Sequence, residues 1–416
     1  MRLKDFSVLN PPYKGENIDA EVSFVPMESL RNGTIDYQDI PFKEAKGKYT
    51  YFSDGDLLVA KVTPCFENGN IAIANEMKEG IGFGSSEIFV LRMNKKVLNS
   101  YMFYITQSGN FQDGACATMC GVGGLKRISP LFMRTYELDI PSLSNQQRIV
   151  DYLDEKLTKI DERIEVLEKQ KDAYVRLKKS IIHQAVTRGL NPNVPLKDSG
   201  IEWMGMIPEH WECYRLKDLG YMYGGLTGKS GDDFRCDDET KTKPYVPFTN
   251  VLNNTVVDND NFHYVVMGDK EQQNQVRTND LLFLMSSEDY ESIAKSAVVV
   301  GNPGEVYLNS FCRGLRITNR YCFAPFINYQ LNSEMYRDAL RFEARGFTRI
   351  NIKIDRVASY FVSLPPLSEQ QTIANYLDEK CTKIDAAIEN ISKLIDASKR
   401  LKRALINEVI TGQRAV

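Results

Sequence analysis

Residues 10–13 read N-P-P-Y. A polar head followed by two prolines and an aromatic ring is suited to holding a flipped adenine. The polar group and backbone take the exocyclic amine, and the ring stacks on the base. Methyl transfer to that amine also needs a glycine-rich loop after a strand, to cradle S-adenosylmethionine. The candidates are GFGSS (82–86), GVGG (121–124) and GGLTG (224–228). None follows a buried strand, opens a long helix and has an acidic residue at the next strand end. No strand is predicted ahead of Asn10 to hold it. The two prolines most simply make a rigid turn.

Other catalytic constellations fare no better. The eight cysteines are scattered, and only Cys116 and Cys120 lie close together, with none of the three histidines nearby. That spacing does not make a zinc site, so no metal is expected. The cysteines read as thiols in a reducing compartment. His183, His210 and His263 fall in a charged helix, a PEHWE turn and a strand-like stretch, none with a marked nucleophile partner. No apolar run approaches the ~20 residues of a membrane span. MRLKDFSV at the N-terminus has no apolar signal core, so an intracellular protein is expected. A net charge of −3 and a pI near 5.9 do not advertise a nucleic-acid binder. They allow one where charge is segregated by domain.

The elements that must position any site are clearer. Residues 141–187 and 365–411 align without a gap at an offset of 224 and are identical at 25 of 47 positions. Ser144 with Gln147, and Ser368 with Gln371, fit capping boxes at two helix starts. Apolar positions then recur three and four apart. The first copy has Val150, Leu153, Leu157, Ile160, Ile164, Leu167, Tyr174 and Ile181. The second has Ala374, Leu377, Cys381, Ile384, Ile388, Ile391, Ile395, Leu405 and Val409. This is a heptad seam, interrupted by Lys171, Lys178 and Lys402. Helices of about 40 residues span ~60 Å. Their economical partners are each other, as an antiparallel pair.

A weaker repeat joins the remaining segments. RLKDF (2–6) echoes RLKDL (215–219), GDLLVAK (55–61) echoes NDLLFLM (279–285), and GGLKRI (123–128) echoes RGFTRI (345–350). The chain therefore reads as unit, helix, unit, helix. Both units are rich in predicted strands: AEVSFVPM, DLLVAKV, NIAIANEM and EIFVLRM in the first, KPYVPFTNVL, DLLFLMSS, KSAVVVG and GLRITN in the second. Short amphipathic helices follow them in NSYMFYITQSGNF and APFINYQLNSEMYRDALRFEA. The predicted class is α+β: two homologous units separated by two long antiparallel coiled-coil helices, in a pseudo-two-fold internal repeat. Residues 188–214 form a Pro- and Gly-punctuated connector, with Trp203 and Trp211 expected to pin it onto the second unit. No matching lead-in segment is read before the first unit. The helices have diverged little and the units strongly. One kind of partner for both helices, and different targets for the units, accounts for that contrast.

The helix opening PPLSEQQTIANYLDEKCTKID, the connector DSGIEWMGMIPEHWE before RLKDL, and GDLLVAKVTPCFENGNIAIA resemble the specificity subunit of Type I restriction–modification systems. The resemblance covers essentially the whole chain. It implies target recognition domains at 1–143 and 215–367, spacer helices at 144–187 and 368–412, and the connector at 188–214. It further implies that each domain reads one half of a split, asymmetric double-stranded DNA site. Two methyltransferase subunits would dock on the coiled coil, and nuclease–translocase restriction subunits would join the complex. The chain would have no catalytic activity and no cofactor, S-adenosylmethionine being bound by the methyltransferase partner. Its expected place is a prokaryotic cytoplasm. Two related readers would address half-sites about one helical turn apart, separated by the helices.

Base edges are read by Arg, Lys, Asn, Gln, Ser and Glu offered from loops. In the first unit the candidates are Lys61, Asn68 and Asn70 with Glu67, Ser85 and Ser86 with Glu87, and Lys126 and Arg127. In the second they are Ser286 and Ser287 with Glu288, Asn309 and Arg313 with Ser310, and Arg345, Thr348 and Arg349. The glycine-bounded pairs Lys126–Arg127 and Arg345–Arg349 suit phosphate contact. The seam candidates are Leu153, Leu157, Ile160, Ile164, Leu167, Leu377, Ile384, Ile388, Ile391 and Ile395. The competing readings are a coiled-coil scaffold without DNA specificity and an adenine methyltransferase.

Overall fold

The two repeated segments form continuous helices, Leu143–Arg188 and Leu367–Ile410. The structure is a computed structural model that describes residues 1–122, 124–235, 241–268 and 270–416. Gly123, within GVGG and GGLKRI, and Cys236 lie outside the described residues. The chain divides into two compact units, Met1–Lys169 with Ile391–Val416, and Gln170–Asn390. Each long helix therefore gives one part of its length to each unit.

Within each unit the helices pair through the seam. In the first, Val150, Leu153 and Leu157 share a buried cluster with Leu405, Ile406 and Val409. Lys402 bonds Asp161 at 2.7 Å, and Lys399 lies 3.7 Å from Glu168. One helix number rises as the other falls, so the pairing is antiparallel. In the second unit Ala185 and Val186 share a cluster with Ile373, Ala374 and Leu377, and Lys178 bonds Asp385 at 2.7 Å. Lys178 and Lys402 are equivalent in the repeat, as are Asp161 and Asp385. The same pair thus forms in each unit with the copies exchanged. Two of the three lysines that break the apolar seam, Lys178 and Lys402, join the helices. Of the seam candidates, Leu153, Leu157, Leu167, Leu377, Ile384, Ile391 and Ile395 are buried; Ile160, Ile164 and Ile388 are half-buried.

The capping boxes do not form. The helices begin one residue earlier, at Leu143 and Leu367, so Ser144 and Ser368 already lie in the first turn. Ser142 takes the boundary role in the first copy, its Oγ accepting from Asn145 N at 3.4 Å, while Gln147 donates to Asp151. The preceding glutamine does the tethering. Gln146 is buried, accepts from Leu98 N at 2.8 Å and donates to the carbonyls of Lys96 and Pro141. Gln370 repeats this with Phe323 N, Tyr321 O and Pro365 O. Tyr104 to Asp154, and Tyr329 to Asp378, repeat a second tether.

Each unit carries one four-stranded antiparallel sheet of the same order and register. In the first it runs Ser7–Leu9, Ile88–Met93, Leu57–Ala60, Ile71–Ile73, with Leu57 opposite Leu91. In the second it runs Gly220–Gly224, Cys312–Ile317, Asp280–Leu284, Ser296–Val298, with Leu281 opposite Leu315. Leu57–Ala60 and Asp280–Leu284, each an inner strand, are buried along their length, hence their unbroken apolar runs. A second sheet in each unit contains one parallel pair, Glu21–Val25 with Ile81–Gly84 and Thr242–Val246 with Tyr307–Leu308. KPYVPFTNVL is a strand only to Val246; Phe248–Asn253 is helical after Pro247. The two predicted amphipathic stretches are each broken into two helices, at Ser108 and at Ser333. The connector is pinned as expected. Trp211 is fully buried and donates to Glu369, and Trp203 stacks on Tyr360 at 4.9 Å.

A strand does precede Asn10. Ser7–Leu9 pairs with Ile88–Met93, and Asn10 extends the ladder, its N–H donating to Val90 O and its Oδ1 accepting from Val90 N. Asn10 has φ 50°, a conformation Asn tolerates better than most residues. Tyr13 packs against Phe42, Tyr51 and Phe83 at 5.0–6.2 Å. Its ring is already partnered by the unit's own core, so N-P-P-Y serves the fold.

Candidate nucleic-acid interface

Three segments converge at one end of the main sheet in each unit. In the first, Lys61 N donates to Glu87 O at 2.8 Å and Ile128 N donates to Lys61 O at 2.9 Å. In the second, Met285 N donates to Phe311 O at 3.0 Å and Ile352 N donates to Met285 O at 3.1 Å. All six residues correspond at the offset of 224. The bridges Val62 to Arg127 and Ser286 to Asn351 correspond in the same way. Arg127 is therefore the counterpart of Asn351, and the sequence echo of GGLKRI with RGFTRI is two residues out of register. A two-residue slip keeps the in–out alternation of an extended segment, so the two stretches match in character though not in register.

The third segment of each unit is a closed loop. Cys120 and Arg127 exchange backbone hydrogen bonds at 2.9 and 3.1 Å; Arg345 and Asn351 do so at 2.9 and 3.0 Å. Gly121 (φ 158°) and Gly346 (φ 147°) open the two loops. A Cβ there would lie 2.1 Å from Leu125 O or 2.0 Å from Arg349 O, so the closed loop requires glycine.

The side chains on this shared frame differ. In the first unit Arg127 forks onto Glu87 at 2.8 and 2.9 Å. That bond holds the Glu87 carboxyl below the usual carboxylate range. Lys61 donates to Ser86 O at 2.5 Å and sits 4.6 Å over the Phe89 ring. Burial pushes its amine down, partly offset by Glu87. In the second unit Phe311 occupies the place of Glu87, and Arg349 lies over its ring at 4.5 Å. Arg313 bonds the carbonyls of Ser310 and Cys312, and Arg345 those of Phe342 and Ala344.

The structure thus brings Lys61, Ser85, Ser86, Lys126 and Arg127 into one surface, with Asn68 exposed on the neighbouring turn. It brings Ser286, Ser287, Arg313, Arg345, Thr348 and Arg349 into another. Asn70 and Asn309 are buried. Asn70 closes a turn through its backbone, and Asn309 Oδ1 accepts from Phe311 N at 2.9 Å. They shape the loops and present no side chain. Exposed residues here that were not among the sequence candidates include Val122, Leu125, Phe311, Phe347 and Tyr290, whose hydroxyl donates to Gly346 O at 3.1 Å. Aromatic residues inside polar, glycine-bounded loops were the available signal. Among the described residues no cluster of His, Cys, Asp or Glu is placed to hold a metal, and no helix is long and apolar enough to cross a membrane.

Comparison with known proteins adds the following. A family model described as the Type I restriction modification DNA specificity domain matches residues 11–173 and again residues 208–396. Over 146 residues the chain is 34% identical to the Type I restriction enzyme EcoAI specificity subunit of Escherichia coli, covering 34% of this chain and 25% of that protein. Over 152 residues it is 34% identical to the EcoEI specificity subunit of Escherichia coli, covering 36% and 26%. The matched stretch therefore spans about a quarter of the length of these relatives. The MjaVIII specificity subunit of Methanocaldococcus jannaschii is 21% identical over 408 residues, 96% of this chain and 87% of that one. Among solved structures, a chain described under complex assembly and conformational transition of the type I R-M system superposes with a TM-score of 0.75, at 15% identity over 99% of this chain and 96% of that one. The HsdS subunit from Thermoanaerobacter tengcongensis gives 0.56 at 16% identity, over 100% and 96%. At these identities the likeness shows a shared fold.

Proposed function

Because the chain belongs to the family of Type I restriction modification DNA specificity domains, we propose that it is the DNA-recognition subunit of a Type I restriction–modification complex. One observation carries this reading. The two units join the same three segments through corresponding backbone bonds, Lys61 with Glu87 and Ile128, Met285 with Phe311 and Ile352, and exchange the side chains mounted on them. A retained frame with altered side chains is what two readers of different sequences require. The target is then a split, asymmetric site on double-stranded DNA.

On this reading Lys126, Arg127, Arg345 and Arg349 contact phosphates. Lys61, Asn68, Ser85, Ser86, Ser286, Ser287, Arg313 and Thr348 face base edges. Asn70 and Asn309 hold the loops beneath them. The chain supplies recognition and no catalytic step. Two methyltransferase subunits dock on the exposed faces of the long helices and bind S-adenosylmethionine, and restriction subunits join through the complex. A near-neutral net charge suits this division, because partners share the phosphate contacts.

The test is selection of bound duplexes from a random library by this chain assembled with its methyltransferase partners. A two-part motif with an unread gap is expected. Binding without sequence preference would support the scaffold reading instead.

A further inference from the structure

We propose that Phe347 is an apolar wedge of the second unit, which enters a groove of the duplex and packs its ring against a base, while Arg349 beside it contacts phosphate. The proposal rests on the DNA-recognition reading given above and assigns a role within that surface.

Phe347 is fully exposed at the tip of the loop closed by Arg345 and Asn351. An exposed apolar residue alone means little. Here three further observations bear on it. The loop is closed and tied down: the backbone pair closes it, Tyr290 bonds Gly346 O, and Gly346 cannot accept a side chain. The ring is therefore held out in water by a preformed backbone. Its neighbours are cationic and aromatic: Arg345 and Arg349 flank it, and Arg349 is held over Phe311, itself 42% exposed. Finally, counted from the opening glycine of each loop, Gly121 and Gly346, the residue in the place of Phe347 in the first unit is Val122, which is also apolar and 90% exposed. Two diverged copies have kept an exposed apolar tip on the same closed loop while changing its identity. Groove-inserting proteins use Phe, Leu, Ile or Met in this way, with Arg or Lys alongside, and partly unstack the step they enter. A phosphate-only loop would have no use for a displayed apolar ring.

The experiment uses the full chain assembled with its methyltransferase partners and a duplex carrying the site the wild-type complex selects. 2-Aminopurine replaces adenine, one position at a time, in the half assigned to the second unit. Wild-type binding is expected to raise 2-aminopurine fluorescence at one step, reporting unstacking. Phe347→Ala is expected to abolish that rise and weaken binding to the selected site roughly 10- to 100-fold. Binding to an unrelated duplex and its salt dependence should not change, since no charge is removed. Phe347→Trp should retain both the rise and the affinity. Thermal stability should be the same in all three proteins, because the ring packs on nothing. No fluorescence change with the wild-type complex, or a Phe347→Ala variant that binds the selected site as tightly as wild type or loses both duplexes equally, would overturn the wedge. If the wild-type complex prefers no duplex at all, the recognition reading itself fails.

Discussion

Asp280 accepts from both Nε and Nη2 of Arg316, at 3.1 and 2.7 Å, and from Tyr223 and Arg277 N at 2.7 and 2.8 Å. Asp56 and Arg92 repeat the fork in the first unit at 2.6 and 2.8 Å, with Ser53 N in place of Arg277 N. Both carboxylates are buried. Arg316→Ala would leave Asp280 without its counter-ion, at an expected cost of about 3–5 kcal/mol. Arg92→Ala should cost less, because Arg92 is 36% exposed where Arg316 is 15%. Denaturant midpoints at constant slope would check the order. On the surface proposed to read DNA, Arg349→Ala should weaken binding to all duplexes alike and lower the salt slope by about 1. A sequence-dependent loss would instead make Arg349 a base reader. Glu87 contributes one pH dependence at this surface. Its folded-state pKa is depressed by Arg127. The stability it adds is therefore full above the unfolded-state value of about 4.3 and is lost as pH falls through the lower folded value. Glu87→Gln should lower the thermal midpoint at neutral pH and flatten the acid limb, the two proteins converging once pH falls below the folded-state value.

At the scale of elements, the pairs Lys178–Asp385 and Lys402–Asp161 mark the helix register. They are partly exposed, so each is expected to contribute only about 0.2–1 kcal/mol. Lys178→Asp should destabilise by opposing two carboxylates, and adding Asp385→Lys should restore the loss. Failure of the double variant to recover in a denaturation cycle would argue against the pairing. Gln370→Leu strands a buried N–H and two carbonyls, for at least about 1–3 kcal/mol. The long helices were legible because the apolar period and a gapless offset of 224 say the same thing twice. The main strands were legible because buried strands read as unbroken apolar runs. The tethers were overlooked although both glutamines sit in identical QQ dipeptides, because a capping rule claimed the neighbouring residue. The Asp–Arg forks were also visible in principle, since Asp56 and Asp280, and Arg92 and Arg316, share the offset. The closure of the two glycine-bounded loops was not legible, and GGLKRI and RGFTRI pair two residues out of register. No sequence rule shows that Asn70 and Asn309 turn inward, because loop burial depends on neighbours far away in the chain.

For the molecule as a whole, the account rests on two readers carried by one chain. Replacing residues 1–143 with the first unit of another family member, and mapping methylated adenines in a host that supplies the partner subunits, tests this directly. The junction leaves Gln146 and Asp154 in place to anchor the incoming unit. The account predicts that one half of the methylated motif changes and the other half stays as it was. Alteration of both halves, or of neither, would contradict it.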